Sequence, residues 1–202
     1  MRQFVRSALL VLPFLVAPVA GAQEAGDAAR GAILADTCMG CHGIPGYRNA
    51  YPSYRVPKLG GQHADYVVIA LQGYKNQTRP HNTMHAQAAT MTDQDMRDVA
   101  AYFAGQGPPK AGAPVATAAG ERVATCVACH GEAGISAAPN WPNLAGQHRD
   151  YLEQAIRQYK SGARKDAVMG AQAQQIKDED IAIIAAHFAA QSGLYTVSYT
   201  GK

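Results

Sequence analysis

Four cysteines stand in two close pairs, Cys38 with Cys41 and Cys126 with Cys129, and each second cysteine is followed at once by a histidine. The segments read C-M-G-C-H, Cys38 to His42, and C-V-A-C-H, Cys126 to His130. Two thiols three residues apart on one helical turn can both add to the vinyl groups of a porphyrin, giving two thioether bonds. The next imidazole then points at the iron from the proximal side, so C-x-x-C-H reads as attachment of a c-type haem. A disulfide within such a pair would close a tiny loop and gain little from chain entropy. Zinc needs four ligands, and a thioredoxin-like dithiol needs a βαβ setting. The sequence offers neither, so two covalent haems are expected, on Cys38, Cys41 and His42 and on Cys126, Cys129 and His130.

The motifs belong to a longer repeat. P-K-L-G-G-Q-H-A-D-Y (Pro57 to Tyr66) recurs 85 residues later as P-N-L-A-G-Q-H-R-D-Y (Pro142 to Tyr151). The same offset pairs Tyr74-Lys75 with Tyr159-Lys160, Arg79 with Arg164, Met84 with Met169, and Thr92–Ala104 with Lys177–Ala189. The first copy has the longer loop after its motif, Gly43–Val56 against Gly131–Trp141. A proline-rich stretch, Gly105 to Pro114, separates the copies and reads as a semi-rigid linker. The expected organisation is a first domain over 23–106, a linker over 107–116 and a second domain over 117–202.

The sixth iron ligand separates an electron carrier from a catalyst or gas binder. The second copy holds one methionine, Met169, and its repeat partner is Met84. Met91 and Met96 align with Ile176 and Ile181, which cannot ligate iron, and Met39 lies inside its own attachment motif. Met84 and Met169, each read as lying in a loop before the last helix, are therefore the expected axial ligands. The rival is bis-histidine ligation by His63 and His148, repeated in G-Q-H. They stand at a helix start soon after the proximal histidine, where a helix-cap or propionate-side role is the plainer reading. His81, His85 and His187 have no repeated counterpart and read as surface or packing residues. Pro57 and Pro142 are either carbonyl acceptors for the proximal Nδ1–H or plain turn prolines. Arg79, Arg164, Lys58 and Arg55 are either partners of haem propionates or solvated charges. Tyr47, Tyr51 and Tyr54 crowd the longer loop, where they cover a haem edge, meet the second domain, or simply pack.

Helices must position these groups. Asp27–Thr37 and Thr117–Thr125 are expected to run into the cysteine motifs as helices, and Ala64–Lys75 and Arg149–Lys160 to follow. Met96, Val99, Ala100 and Phe103, and likewise Ile181, Ile184, Ala185 and Phe188, recur at i, i+3, i+4, i+7 in a last helix. Thr92 suits the N-cap of the first of these. Its counterpart is Lys177, so Asp178 is expected to cap the second. No alternating apolar run suggests a sheet.

Hydrophobic residues are 48% of the 202 and charged residues 16%, which excludes long disorder. The formal charge is +3 with no Lys/Arg cluster, which argues against nucleic acid as a partner. Aromatics are 7%, thin for two domains of about 85 residues, which are themselves small for self-sufficient cores. A haem in each would supply the missing apolar bulk. Arg2 and Arg6, the apolar run Ser7 to Ala20 and the small residues Ala20-Gly21-Ala22 read as a secretory signal peptide over 1–22.

C-x-x-C-H, then P-x-L-x-G-Q-H-x-x-Y, then a late methionine before the last helix, all twice, resembles the diheme cytochrome c4 family. That resemblance implies an all-α fold of two tandem class I cytochrome c domains, each wrapped around one covalent haem. It implies axial ligation by His42 with Met84 and by His130 with Met169, and carbonyl bonds from Pro57 and Pro142 to the proximal histidines. It further implies domains facing each other with propionates close across the interface. The implied role is that of a periplasmic, non-enzymatic electron carrier, soluble or loosely membrane-associated, passing electrons from the cytochrome bc complex to terminal haem-copper oxidases. Two alternatives stand beside it: the cytochrome subunit of a periplasmic dehydrogenase such as flavocytochrome sulfide dehydrogenase, and a diheme peroxidase. The matched methionines argue against the peroxidase, which must open one iron.

Overall fold

Each attachment motif closes a short helix, and the rest of each copy folds back over it. In the computed structural model, which describes residues 25–198, the first copy contains α1 (Ala28–Leu34), α2 (Asp36–His42), α3 (Ala64–Lys75), α4 (Asn82–Ala88) and α5 (Asp93–Ala104). The second contains a 3-10 turn (Gly120–Val123), α6 (Ala124–His130), α7 (Arg149–Lys160), α8 (Ala167–Gln175) and α9 (Asp178–Ala190). The predicted leader over 1–22 lies outside the described residues. Among those residues there is no β-sheet, only two isolated antiparallel bridges, Arg48 with Arg55 and Gly60 with Tyr195. No helix among them is long and apolar enough to cross a membrane.

Helices α3 and α7 occupy the expected ranges, and α5 and α9 carry the apolar stripes. Thr92 caps α5 in a full capping box with Asp95. The expected cap of α9 by Asp178 does not form. Lys177 holds the N-cap position without a side-chain bond, and the Asp178 carboxylate accepts instead from Lys160 Nζ at 2.7 Å. The leading helices also differ from expectation. In the first copy the helix turns at Ala35, and in the second regular structure begins only at Gly120, whose φ of +51° favours glycine.

Helix α1 lies against α5 at close range. A Cβ on Gly31 would stand 1.9 Å from the Asp98 carbonyl oxygen, so only glycine permits this approach. Beneath the crossing are Met39, Val67, Leu71, Met96, Val99 and Phe103. Met96 is fully buried, as its alignment with Ile181 requires. Val123, Leu152, Ile184 and Phe188 form the second core.

The copies meet in a nearly twofold joint. Gln62 Oε1 accepts from Asn143 N at 2.9 Å and its Nε2 donates to Asn143 O at 3.1 Å. At the repeat-equivalent position, Gln147 Oε1 accepts from Lys58 N at 2.9 Å and its Nε2 donates to Lys58 O at 3.1 Å. Asn143 Nδ2 donates to Gly61 O at 2.8 Å, and Lys58 Nζ in the matching place donates to Gly146 O. A backbone bond departs from the symmetry. Lys165 N donates to Thr78 O at 2.7 Å, but the residue equivalent to Lys165 is Pro80, which has no N–H to return.

Two further segments tie the copies together. Val115 in the linker is bound at N and O by the Gln191 side chain, at 2.8 and 2.9 Å. Beyond α9 the chain crosses back to the first copy. Tyr195 exchanges two backbone bonds of 3.0 Å with Gly60, its hydroxyl donates to Gln106 O at 2.9 Å, and Val197 enters the first core.

Candidate haem sites

The last turn of α2 carries Cys38, Cys41 and His42, and the last turn of α6 carries Cys126, Cys129 and His130. None of the four cysteines is in a disulfide. Burial pushes the Cys38 and Cys126 thiols up, the reverse of what a thiolate-based redox dithiol needs. Each histidine ring is fixed from behind. His42 Nδ1 lies 2.8 Å from Pro57 O, and His130 Nδ1 lies 3.0 Å from Pro142 O. A carbonyl oxygen only accepts, so Nδ1 carries the proton and Nε2 keeps its lone pair. Burial lowers both imidazoles below the ordinary histidine value, outweighing the carbonyls that favour the charged form, and so keeps the rings neutral.

Helix α4 brings Met84 to the cavity that His42 also lines. Cys38, Cys41, His42 and Met84 line one cavity, partly open to solvent, among Val67, Leu71, Tyr74, Met91, Val99 and Phe103. Pro142, Leu144, Gln147 and Tyr151 close the same cavity from the second copy. In that copy Cys126 packs on the second core beside Leu144, Tyr151, Ile156 and Ile176. These are the repeat counterparts of Leu59, Tyr66, Leu71 and Met91 around the first site.

Neither methionine lies in a loop, as the sequence reading had it. Met84 is the third residue of α4 and Met169 the third residue of α8. The segments N-T-M-H-A-Q-A and A-V-M-G-A-Q-A-Q-Q have no apolar stripe, which is why periodicity missed them. Their start signals sit at equivalent positions with different chemistry. His81 Nδ1 accepts from Met84 N at 3.2 Å, and Asp166 Oδ1 accepts from Met169 N at 2.8 Å. His81, read from sequence as a surface or packing residue, is the cap of the methionine helix and lines the first cavity.

Several other readings change. His63 stands at the N-cap position of α3 but caps nothing; its Nε2 lies 3.0 Å from Ser136 O across the joint. His148 likewise makes no capping bond to α7. The residue of G-Q-H that reaches across in both copies is the glutamine, which the repeat displayed without revealing its direction. Of the four cations considered for propionates, Arg55 pairs with Asp150 at 3.3 Å and Lys58 is tied to Gly146 O. Arg79 and Arg164 stay buried at the joint with both Nε atoms unpartnered. The tyrosine-bearing loop meets the second domain. Arg48 bonds Asp150 at 3.1 Å, the Tyr54 ring lies 6.3 Å from that of Tyr151, and burial pushes the Tyr54 hydroxyl up to about 12. Tyr51 is exposed.

These features fit a haem in each copy: paired cysteines and a neutral imidazole with a free Nε2 in both, and around the first site an apolar cavity with the unpartnered Nε of Arg79 on its wall. The family model for cytochrome c matches twice, over residues 28–106 and 117–190. Cytochrome c4 of Thiocapsa roseopersicina is 33% identical over 184 residues, covering 83% of this chain and 92% of that protein. A thiosulfate dehydrogenase electron acceptor of Stutzerimonas stutzeri is 30% identical over 169 residues, covering 75% and 77%. The crystal structure of reduced recombinant cytochrome c4 from Pseudomonas stutzeri is 27% identical with a TM-score of 0.68, covering 85% of this chain and 100% of that one. With its doubled all-α domain and doubled attachment motif, the chain belongs to the cytochrome c family, as a diheme electron-transfer protein of the cytochrome c4 type with two covalent haem c groups.

Proposed function

We propose that the chain is a periplasmic carrier in respiratory electron transfer, with one haem held by Cys38, Cys41, His42 and Met84 and the other by Cys126, Cys129, His130 and Met169. The observation that carries this is the doubled geometry behind each iron position. A proximal imidazole is locked by a proline carbonyl, and a methionine stands at the third position of a capped short helix. A haem so bound supplies a one-electron Fe2+/Fe3+ couple. The protein's part is to hold both axial groups in place, so that iron changes charge with little rearrangement, and to exclude water with the apolar wall. Ligation by a methionine thioether sulfur raises the potential relative to two imidazoles, which suits the oxidising end of a chain running from a cytochrome bc complex to a haem-copper oxidase. The cysteines keep the haem from being lost outside the cytoplasm.

Absorption spectroscopy and potentiometry of the purified protein test this reading. Two haems per chain, each with a methionine–iron charge-transfer band and no bound carbon monoxide, are expected; a missing band at either iron overturns the axial assignment.

The likeness to a thiosulfate dehydrogenase electron acceptor favours a second reading, in which the donor is a periplasmic dehydrogenase. Co-purification of such an enzyme from the native source, with electron delivery to this chain, would select it.

A further inference from the structure

We propose that the Asp150 carboxylate of the second domain helps to hold Met84 in place in the first, through a relay that runs along the tyrosine-bearing loop to Asn49 and His81. This rests on the reading of Met84 as an axial ligand given above, and deepens it.

Each link of the relay is a bond in the structure. Asp150 Oδ2 accepts from Arg48 Nη1 at 3.1 Å, from Arg55 N at 3.2 Å and from Arg55 Nη1 at 3.3 Å. Arg48 and Arg55 are themselves bridged, so one carboxylate grips both arms of the loop. Within the loop Arg48 donates from Nε to Ser53 Oγ and from Nη2 to Ser53 O, both at 3.2 Å. Asn49 N donates to Tyr54 O at 2.9 Å, and Val56 N to Tyr47 O at 2.8 Å. These bonds carry the position of the arms to Asn49. His81 Nδ1 is occupied by the Met84 N–H at 3.2 Å, so its Nε2–H donates to Asn49 Oδ1 at 3.2 Å. The Tyr54 ring packs between the same two ends, 6.4 Å from the ring of His81 and 6.3 Å from that of Tyr151. Asn49, Tyr54, His81, Met84 and Tyr151 all line the first cavity.

The second methionine has no such support. Asp65, the repeat counterpart of Asp150, is exposed and joins no ion pair among the described residues. The loop it would have to grip is the shorter one. Asp166 caps Met169 directly and stands exposed. Helix α8 is tied to the first domain by the main-chain bond from Lys165 N to Thr78 O at 2.7 Å, which uses neither the Asp166 side chain nor Asp150. A partly exposed ion pair adds little stability by itself. What it supplies here is position, because the groups behind a ligand set its orientation. Asp150 and Asn49 are thus positioning residues that act through His81, and the docking of the second domain is felt at Met84 but not at Met169.

The test measures amide hydrogen exchange at Met84 and Met169 in the holoprotein, together with the affinity of each ferric iron for added imidazole, which takes the place of the sulfur. Met84→Ala and Met169→Ala assign the two spectral responses. Asp150→Ala is expected to speed exchange at the Met84 amide and to raise imidazole affinity at the first iron severalfold, leaving Met169 and the second iron at wild-type values. Asp150→Glu should recover most of the change, and Asp65→Ala should cause none. Asn49→Ala should reproduce the effect, and adding Asp150→Ala to it should do little more. Equal changes in both domains would show a general loosening of the joint and overturn the relay. An unchanged Met84 would overturn it, as would effects of Asp150→Ala and Asn49→Ala that simply add. Should Asp150→Ala fail to take up two haems, Arg48→Gln reads the same response from the exposed arm of the loop, and an unresponsive Met84 amide there overturns the relay as well. A wild type with no methionine band at the first iron would defeat the axial assignment, whereas a silent Met84 amide defeats the relay alone.

Discussion

His81 Nδ1 accepts a hydrogen bond from the backbone N–H of Met84 at 3.2 Å, while its Nε2 lies 3.2 Å from Asn49 Oδ1. The amide hydrogen fixes the tautomer, leaving Nε2–H to donate to Asn49. A histidine is thereby doing what Asp166 does for Met169, and the first turn of each methionine helix is set by one side chain. Loss of an N-cap costs about 0.5–2 kcal/mol. His81→Ala should loosen the sulfur of the first haem alone, so that its methionine band disappears at a lower temperature than in wild type. His81→Asp should restore it. A band that melts at the wild-type temperature in His81→Ala would show that the cap does not support the ligand.

Met169→Ala should leave two haems attached and open one iron to carbon monoxide. Met84→Ala should do the same at the other. Carbon monoxide binding no better than in wild type would show that the altered methionine is not a ligand.

Cys126→Ala should weaken attachment in the second domain only. Haem staining of limited-proteolysis fragments reads it directly. Undiminished covalent haem on the second half would contradict the thioether assignment.

The paired glutamines make the joint expensive to open. Gln62→Ala removes two bonds across the joint and strands the buried N–H and C=O of Asn143, for a cost of about 1–3 kcal/mol. Gln147→Ala should cost a similar amount through Lys58. Denaturant titration of the holoprotein measures both, and unchanged midpoints would mean that the domains dock without them.

Asp98 offers a test by acid. Its carboxylate is 1% exposed and accepts from Asp27 N and from Gln94 Nε2, both at 2.8 Å, and from Arg30. Led by the Asp27 backbone bond, these contacts hold its pKa below the ordinary carboxylate value in spite of burial. The folded pKa being the lower one, the stabilisation is present above the unfolded value of about 3.9 and is lost as pH falls below it. Asp98→Asn should flatten the stability profile in that acid range, and an unchanged slope there would count against the assignment.

The attachment sites were legible because thioether chemistry fixes residue type and spacing within five positions. The long helices were legible because α3, α5, α7 and α9 each bury an apolar face. What escaped the sequence depended on surfaces that do not yet exist in one copy. Gln62 looks like any polar loop residue until Asn143 stands opposite it. Asp98 aligns with Ile183, so the repeat hid a carboxylate that only Arg30 and the start of α1 explain. The short methionine helices escaped because capping and haem-side packing, not periodicity, define them.

Val197 lies in the core of the first copy, and Tyr195 bridges to Gly60. The core of the first copy is therefore finished by a segment that follows the last helix of the second. Cutting the chain in the linker would leave an N-terminal half with a gap in its interior and a C-terminal half with an orphaned apolar tail. The repeat lays out two matching units, but this crossing leaves the interior of the first incomplete without the chain that follows the second.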